Sequence, residues 1–423
     1  MNVEGVGHGW PPRRVRRAPA RTRFFAIIAA LCAALLLSGC AGNPPESTVT
    51  TDPLLLSDSS LPSVTESAAV PTAPDGTINL RAAGCPDPIV IASDGPPSLY
   101  ESALFELSGG TRPSAQGRYL DDLLDPATGK TTGTQLELRF ATAAGASDLG
   151  ARLAEPKVFG ALASTEEQIL AAVSIPTVAV AAPWAQLARM LYWDPATYPQ
   201  TQAIPDLGGQ DIRVSVRERA PWVTYLINNN LLTEKIVVVA GPGVDLVAAF
   251  LADHAKSAAE GSAMIDPPAV NRGLGHAIRF QLVANAGYDP YPASLVVRRS
   301  SLKDQAPCLR ALVPLLQTAQ VHFSANPQKA AALIARVARE QGVSPAASVE
   351  VLVAQARRAL ALGLIANSDN GMLGSIDAAK MRRMLKILTP IAKQRRTPIA
   401  VSLKAEQLFD NQFINRLVAL PQP

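Results

Sequence analysis

From residue 85 onward, short β-branched runs alternate with stretches whose apolar residues recur every three or four positions. Residues 88–92 (Pro-Ile-Val-Ile-Ala) read as a strand closed by the turn Ser93-Asp94-Gly95-Pro96, followed by a helix over 98–107. Further strands are expected at 135–141, 157–161 and 176–182, with a helix opened by Ser164-Thr165-Glu166-Glu167 between the last two. After an irregular stretch containing Pro195, Pro199 and Pro205 the alternation restarts. Strands are expected at 211–216, 235–240, 263–265 and 294–298, and helices at 221–232 and 244–255. From 305 to the end the pattern is almost wholly helical, with breaks at 342–345, 367–374 and 397–402. Strand and helix in turn imply βαβ units and a mostly parallel sheet, so the expected class is α/β. The middle stretch forms a second α/β module inserted between the early strands and the late helices.

The N-terminus carries a different pattern. Arg13, Arg14, Arg16, Arg17, Arg21 and Arg23 precede an unbroken apolar run over 24–37. That run is well short of the ~20 apolar residues a spanning helix needs, and it ends in small residues rather than a charged flank. Leu37-Ser38-Gly39-Cys40-Ala41 resembles the bacterial lipobox, in which a cysteine thiol takes a diacylglycerol before cleavage. Residues 1–39 are thus expected to be a lipoprotein signal peptide, with Cys40 the lipidation site. The mature chain would sit on the extracytoplasmic face of the cell membrane, held by lipid. Residues 40–84, rich in Ser, Thr, Pro and Asp, read as a flexible tether.

Loss of the signal changes the charge picture. It holds six arginines against Glu4, an excess of five positive charges, so the +4 of the whole chain becomes −1. This removes a global electrostatic case for nucleic-acid binding. Pairs such as Arg357-Arg358 and Arg382-Arg383 then read as solvated helix faces. Of four cysteines, Cys32 leaves with the signal and Cys40 is committed to lipid. Cys85 and Cys308 either pair in an oxidising compartment or stay as buried free thiols. Pairing would return the late helices to the first strand and make the first lobe discontinuous. The boundaries expected on this basis are 85–200 with 300–423 for lobe 1 and 201–299 for lobe 2.

Several stretches carry a family resemblance. They are the strand-turn-helix over 89–107, the turn after Phe140, and the entry Pro205-Asp206-Leu207-Gly208-Gly209-Gln210-Asp211-Ile212. Ala263-Met264-Ile265-Asp266-Pro267-Pro268 and Leu408-Phe409-Asp410-Asn411-Gln412-Phe413-Ile414 complete the set. Together they resemble the type II periplasmic solute-binding proteins of ABC importers for nitrate, sulfonate, taurine and thiamine precursors (the NMT1/THI5-like family). The resemblance spans about 85–415. It implies two α/β lobes joined by a hinge, a helical C-terminal extension, a small-molecule ligand, a permease partner, a monomer and no cofactor. The chain departs from the pattern in the Gly- and Pro-containing segment 108–133, expected near the ligand, and in the Pro96-Pro97 turn.

In open parallel sheets ligands bind beyond the carboxyl ends of strands, so the candidates lie just after strands. In the first lobe these are Ser93, Asp94, Thr142, Ser164 and Thr165. Asp94 either meets ligand or fixes an Asx-turn, and Ser164-Thr165 either meets ligand or forms a capping box with Glu167 or Gln168. In the second lobe they are Ser215, Arg217, Trp222 and Asp266. Arg217 is the choice for an anionic ligand group, since a guanidinium pairs with carboxylate, sulfonate or phosphate, or else it is a surface arginine. Trp222 either stacks on ligand or packs in the core. Asp266 either binds an amine or caps its turn. Tyr288 and Tyr291, on the return to the first lobe, read as hinge or rim residues.

Catalytic readings find less support. The mature chain keeps His254, His276 and His322 far apart in sequence, and it has neither zinc-ligand spacing nor a Gly-x-Ser-x-Gly elbow. Gly241-Pro242-Gly243 lacks the Lys and Ser/Thr of a phosphate loop. The expectation is a receptor that performs no chemistry. The alternative is an envelope lipoprotein of the same fold acting as a partner-binding module or an enzyme.

Overall fold

A computed structural model describes residues 70–115, 117–141, 148–241, 243–397, 399 and 402–421. The expected signal peptide, Cys40, most of the tether and Thr142 lie outside the described residues. In chain order the strands are β1 (Ile89–Ala92), β2 (Arg118–Leu124), β3 (Thr131–Arg139), β4 (Val158–Ala163), β5 (Thr177–Ala181) and β6 (Arg189–Trp193). Then come β7 (Val214–Val216), β8 (Val237–Val239), β9 (Ala258–Ser262), β10 (Arg279–Leu282) and β11 (Ser294–Arg298). The helices are α1 (Ser102–Glu106), α2 (Leu149–Ala154), α3 (Thr165–Ala171), α4 (Ile204–Gly209), α5 (Pro221–Asn228) and α6 (Leu246–Ala252). They continue with α7 (Pro267–Leu274), α8 (Leu302–Ala325), α9 (Gln328–Glu340), α10 (Val349–Ala361) and α11 (Ala378–Gln394). Among the described residues no helix is long and apolar enough to cross a membrane.

Two sheets result. The first has the order β2-β3-β1-β4-β11-β5 and the second the order β10-β6-β9-β7-β8. In the first, β1, β3, β4 and β5 run parallel while β2 and β11 run against them. In the second only β6 is reversed. The first sheet is covered on both faces, which is why its central strands β1 and β4 are apolar without a break. All four residues of β1 are buried; Ile89 and Ile91 belong to one core cluster, Val90 and Ala92 to the other. The two-residue period of β6 splits the same way, Met190 and Tyr192 on one side, Leu191 and Trp193 on the other. At Gly160 of β4 an added Cβ would come 2.8 Å from the carbonyl of Val296 on β11, so only glycine lets the strands approach this closely.

The chain crosses between sheets twice, over 182–188 from β5 to β6 and over 283–293 from β10 to β11. Strand membership therefore differs from the sequence boundaries. β6 belongs to the second sheet although it lies before residue 201, and β11 to the first although it lies before residue 300. The strand expected at 263–265 forms earlier, as β9, because Asp266 Oδ2 accepts from the backbone N of Ser262 at 2.7 Å and turns the chain there. The segment 108–133 is not a loop near the cleft. Half of it is β2 and the turn of a hairpin with β3, at the outer edge of the first sheet. Its N-terminal part docks on α9, where Ser114 N donates to Glu340 at 2.8 Å.

The helical extension closes the structure. Cys85 and Cys308 form a disulfide that fastens α8 to the chain just before β1. The C-terminal segment covers the edge of β5, with Ala179 N donating to Leu408 O at 2.8 Å and Gln168 Nε2 to the same carbonyl at 2.6 Å. α11 packs on α3 beside the first sheet and on α5 beside the second.

Candidate functional site

A cavity of about 390 Å³ opens where the carboxyl ends of β1 and β4 face the start of β6, between the two crossings. Asp94, Gly95 and Pro96 enter from the turn after β1, Tyr100 and Glu101 from the helical turn that follows, and Ser164 and Glu166 from the start of α3. Leu187 and Arg189 come from the first crossing and β6, and Pro290, Pro292 and Ala293 from the second crossing. This is the position the strand-end rule predicts, with loop and helix N-terminal groups turned toward the opposite sheet.

Its floor is set by a capping box. Ser98 opens the helical turn, and Glu101 reaches back so that Oε2 accepts from Ser98 N at 2.9 Å and from Ser98 Oγ at 2.8 Å. Ser93 Oγ donates to the other oxygen, Oε1, at 2.5 Å. Burial pushes the Glu101 carboxyl up to about 7 despite these bonds.

Glu166 stands in the first turn of α3, whose N-cap Ser164 accepts from Glu167 N at 3.0 Å. One oxygen of Glu166 accepts from the hydroxyl of Tyr288. Burial raises the Glu166 carboxyl, and the Tyr288 hydroxyl and the Arg189 charge partly offset that rise.

Arg189 is the cation lining the cavity. It begins β6 and pairs diagonally across the antiparallel ladder with the buried Glu260 of β9, Nη1 to Oε1 at 3.1 Å. Its guanidinium carbon lies 5.4 Å from the ring centroid of Trp222, a cation–π contact. Glu260 also accepts from the backbone N of Arg217 at 2.9 Å, which locks the carboxylate beneath Arg189.

The residues expected from the sequence divide accordingly. Asp94 and Ser164 line the cavity, and Ser93 lies under it through Glu101. Thr165 is buried and fastens the second crossing, its N donating to Tyr291 O at 2.9 Å and its Oγ1 accepting from Tyr291 N at 3.1 Å. Trp222 is buried under Arg189 and Ser215 lies within β7; neither is in the cavity wall. Arg217 is exposed outside it, at the end of β7, while Arg189 enters from β6 on the other side of β9. Asp266 closes the turn after β9. Tyr288 and Tyr291 are buried in the second crossing rather than at a rim. Sequence reasoning missed Tyr100, Glu101, Glu166 and Arg189. The Arg-Met-Leu-Tyr-Trp run of β6 held a strand signal, but it preceded the prolines read as irregular. Among the described residues no group of three His, Cys, Asp or Glu is placed to hold a metal ion.

No family model matches the sequence, and no curated protein does. Solved structures do. The periplasmic aliphatic sulphonate-binding protein SsuA of Escherichia coli has a TM-score of 0.51 at 12% identity, over 80% of this chain and 96% of that one. The periplasmic nitrate-binding protein NrtA of Synechocystis PCC 6803 has a TM-score of 0.47 at 12% identity, over 77% of this chain and 86% of that one. The desulfurization enzyme DSZB has a TM-score of 0.45 at 13% identity, over 78% and 97% of the respective chains. At such identities a likeness speaks to fold and not to ligand or activity. With two mostly parallel sheets joined by two crossings and followed by a helical extension, and with this likeness of fold to the sulphonate-binding protein, the chain has the two-lobed fold of the type II periplasmic binding proteins.

Proposed function

We propose that the chain is an extracytoplasmic solute-binding protein, anchored by lipid at Cys40, that captures a small molecule in the cleft for delivery to an ABC importer. The observation that carries this reading is the cavity between the two sheets at the strand ends, lined by polar groups from both. Likeness of fold to a periplasmic sulphonate-binding protein supports it. Two lobes joined by two crossings can close on a ligand and exclude water, and binding to the closed form alone would stabilise the chain. A ligand at a hundredfold excess over its Kd adds ~2.7 kcal/mol, a shift readily seen by thermal unfolding.

The test is a thermal-unfolding screen of the purified chain against small solutes, with fractionation of cells expressing the wild type and Cys40→Ala. Capture predicts a stabilising ligand. Lipidation predicts palmitate labelling and membrane retention, both lost in Cys40→Ala. A second reading, catalysis in the same cleft, draws on the Glu101 carboxyl held near neutrality, which suits proton transfer. Mass spectrometry of ligand recovered after incubation decides between them, since capture returns it unchanged.

A further inference from the structure

We propose that a cavity in the helical extension, separate from the cleft, is a second binding site for a small apolar molecule carrying an ammonium group, and that a ligand there steadies the first crossing. The cavity has a volume of about 860 Å³ and lies between the C-terminal ends of α8 and α10, the loop 363–371 and the C-terminal segment. That volume is within the range of ligand pockets, and none of its lining residues also lines the cleft. Its wall is mostly apolar, with Val321 from α8, Leu360 from α10, Ile365 from the loop and Leu420 from the C-terminal segment. Asn367 fastens that segment to the loop, Nδ2 donating to Leu420 O at 2.9 Å and Oδ1 accepting from Leu420 N at 2.8 Å. These paired bonds fix the C-terminal wall in place.

The polar groups of the wall select the ligand. The Ser324 hydroxyl is buried and has no hydrogen-bond partner among the described residues. A buried hydroxyl left in that state is unfavourable, and a polar group on a ligand relieves it. Asp369 is exposed, and its carboxylate forms no ion pair among the described residues. The Asn367 amide is taken by Leu420, and Ser368 Oγ donates to Ser375 O. No Lys, Arg or His lines the cavity among the described residues, so a carboxylate or phosphate ligand finds no counter-charge there. An ammonium only donates, and both Asp369 and Ser324 accept. The apolar wall takes the carbon body of the same molecule.

The loop that forms one wall also holds the first crossing. Leu364, between the lining residues Gly363 and Ile365, accepts through its carbonyl from Ala185 N at 2.8 Å and from Gln186 N at 3.3 Å. Beyond the lining Gly371, the Gly374 carbonyl accepts from Ala182 N at 2.8 Å. A ligand that orders the loop therefore slows the opening of these bonds.

Calorimetry on the full chain in lipid nanodiscs, with empty discs as the blank, tests the site with probes of one carbon body: 2-phenylethylamine, 2-phenylethanol and phenylacetate. The amine is expected to bind about fivefold more tightly than the alcohol, the upper range for an exposed ion pair, and the acid to bind least. Asp369→Asn should remove the preference for amine over alcohol. Ala325→Trp, at an exposed lining position, should weaken both. With the amine bound, amide exchange followed by mass spectrometry should slow over 182–186 in the wild type and not in Ala325→Trp. An amine that binds no more tightly than the alcohol or the acid, or equally well to both variants, overturns the site. Amine binding with exchange over 182–186 unchanged overturns the link to the first crossing. Capture in the cleft stands or falls separately, because the two cavities share no residue.

Discussion

Glu101 is 3% exposed and holds three hydrogen bonds, yet its carboxyl is displaced from 4.5 to about 7. Desolvation exceeds what the serines return, which makes the group a source of pH dependence. A carboxyl raised in the folded state favours folding in its protonated form. Its contribution is therefore full below pH 4.5 and is lost as the pH rises through 7. The loss at Glu101 amounts to about 3 kcal/mol across that window. Urea unfolding from pH 4 to 8 should show the wild type losing that increment relative to Glu101→Gln; parallel curves would refute the assignment. A second expectation separates the two arginines. Arg217→Ala should leave ligand affinity within about twofold, the usual scale for an exposed side chain outside a site. A loss of tenfold or more on titration would move the anion contact back to the end of β7.

At the scale of elements, α11 is the piece that ties cleft to extension. Its buried Met381, Met384, Leu388 and Ile391 follow the helical period, and they face α3 and α5. Near its start Lys380 meets both crossings at once. Nζ donates to Ala185 O in the first at 2.6 Å, pairs with Asp289 in the second at 2.8 Å, and lies 4.2 Å from the Tyr291 ring centroid. Burial drives the Asp289 carboxyl up and the Lys380 amine down, while their mutual attraction opposes both shifts. Removing one partner of a buried pair leaves the other charge without compensation. Lys380→Ala should accordingly cost about 3 kcal/mol in denaturant unfolding. The double variant Lys380→Ala with Asp289→Asn should recover part of that loss. If the single variant is as stable as the wild type, Lys380 does not brace the crossings.

Across the whole molecule the disulfide is the longest covalent constraint, closing a loop with a sequence separation of 223. It joins α8 to the chain's entry to the first sheet, and neither cysteine lines the cleft cavity. By the entropy of the closed loop, reduction should destabilise the fold by about 5 kcal/mol. Ligand affinity at temperatures where the reduced chain stays folded should be unchanged, because no cavity residue adjoins either cysteine in sequence. Paired unfolding and titration curves with and without reductant check both parts.

Much of this organisation was legible in the residues. The strand-helix alternation, the Ser164 cap and the helical breaks of the extension are set by periodicity and by bonds reaching three or four positions. The cysteine count narrowed the pairing to Cys85 and Cys308 by elimination. Short strands were less legible: β6, β9 and β10 span four or five residues, and their status depends on partners across the sheet. β11 carried a strand signal, but only pairing with β4 and β5 shows that it belongs to the first sheet. The same holds for the hairpin in 108–133, whose first strand is stabilised by β3 rather than by its own sequence. For the cleft, Asp94 and Ser164 followed from the strand-end rule, but Glu166, Arg189 and Pro290 did not. Local sequence determined which segments became strands and helices, because those signals act over a few residues. Which side chains share the cavity was decided only in three dimensions, where two crossings bring together groups from distant parts of the chain.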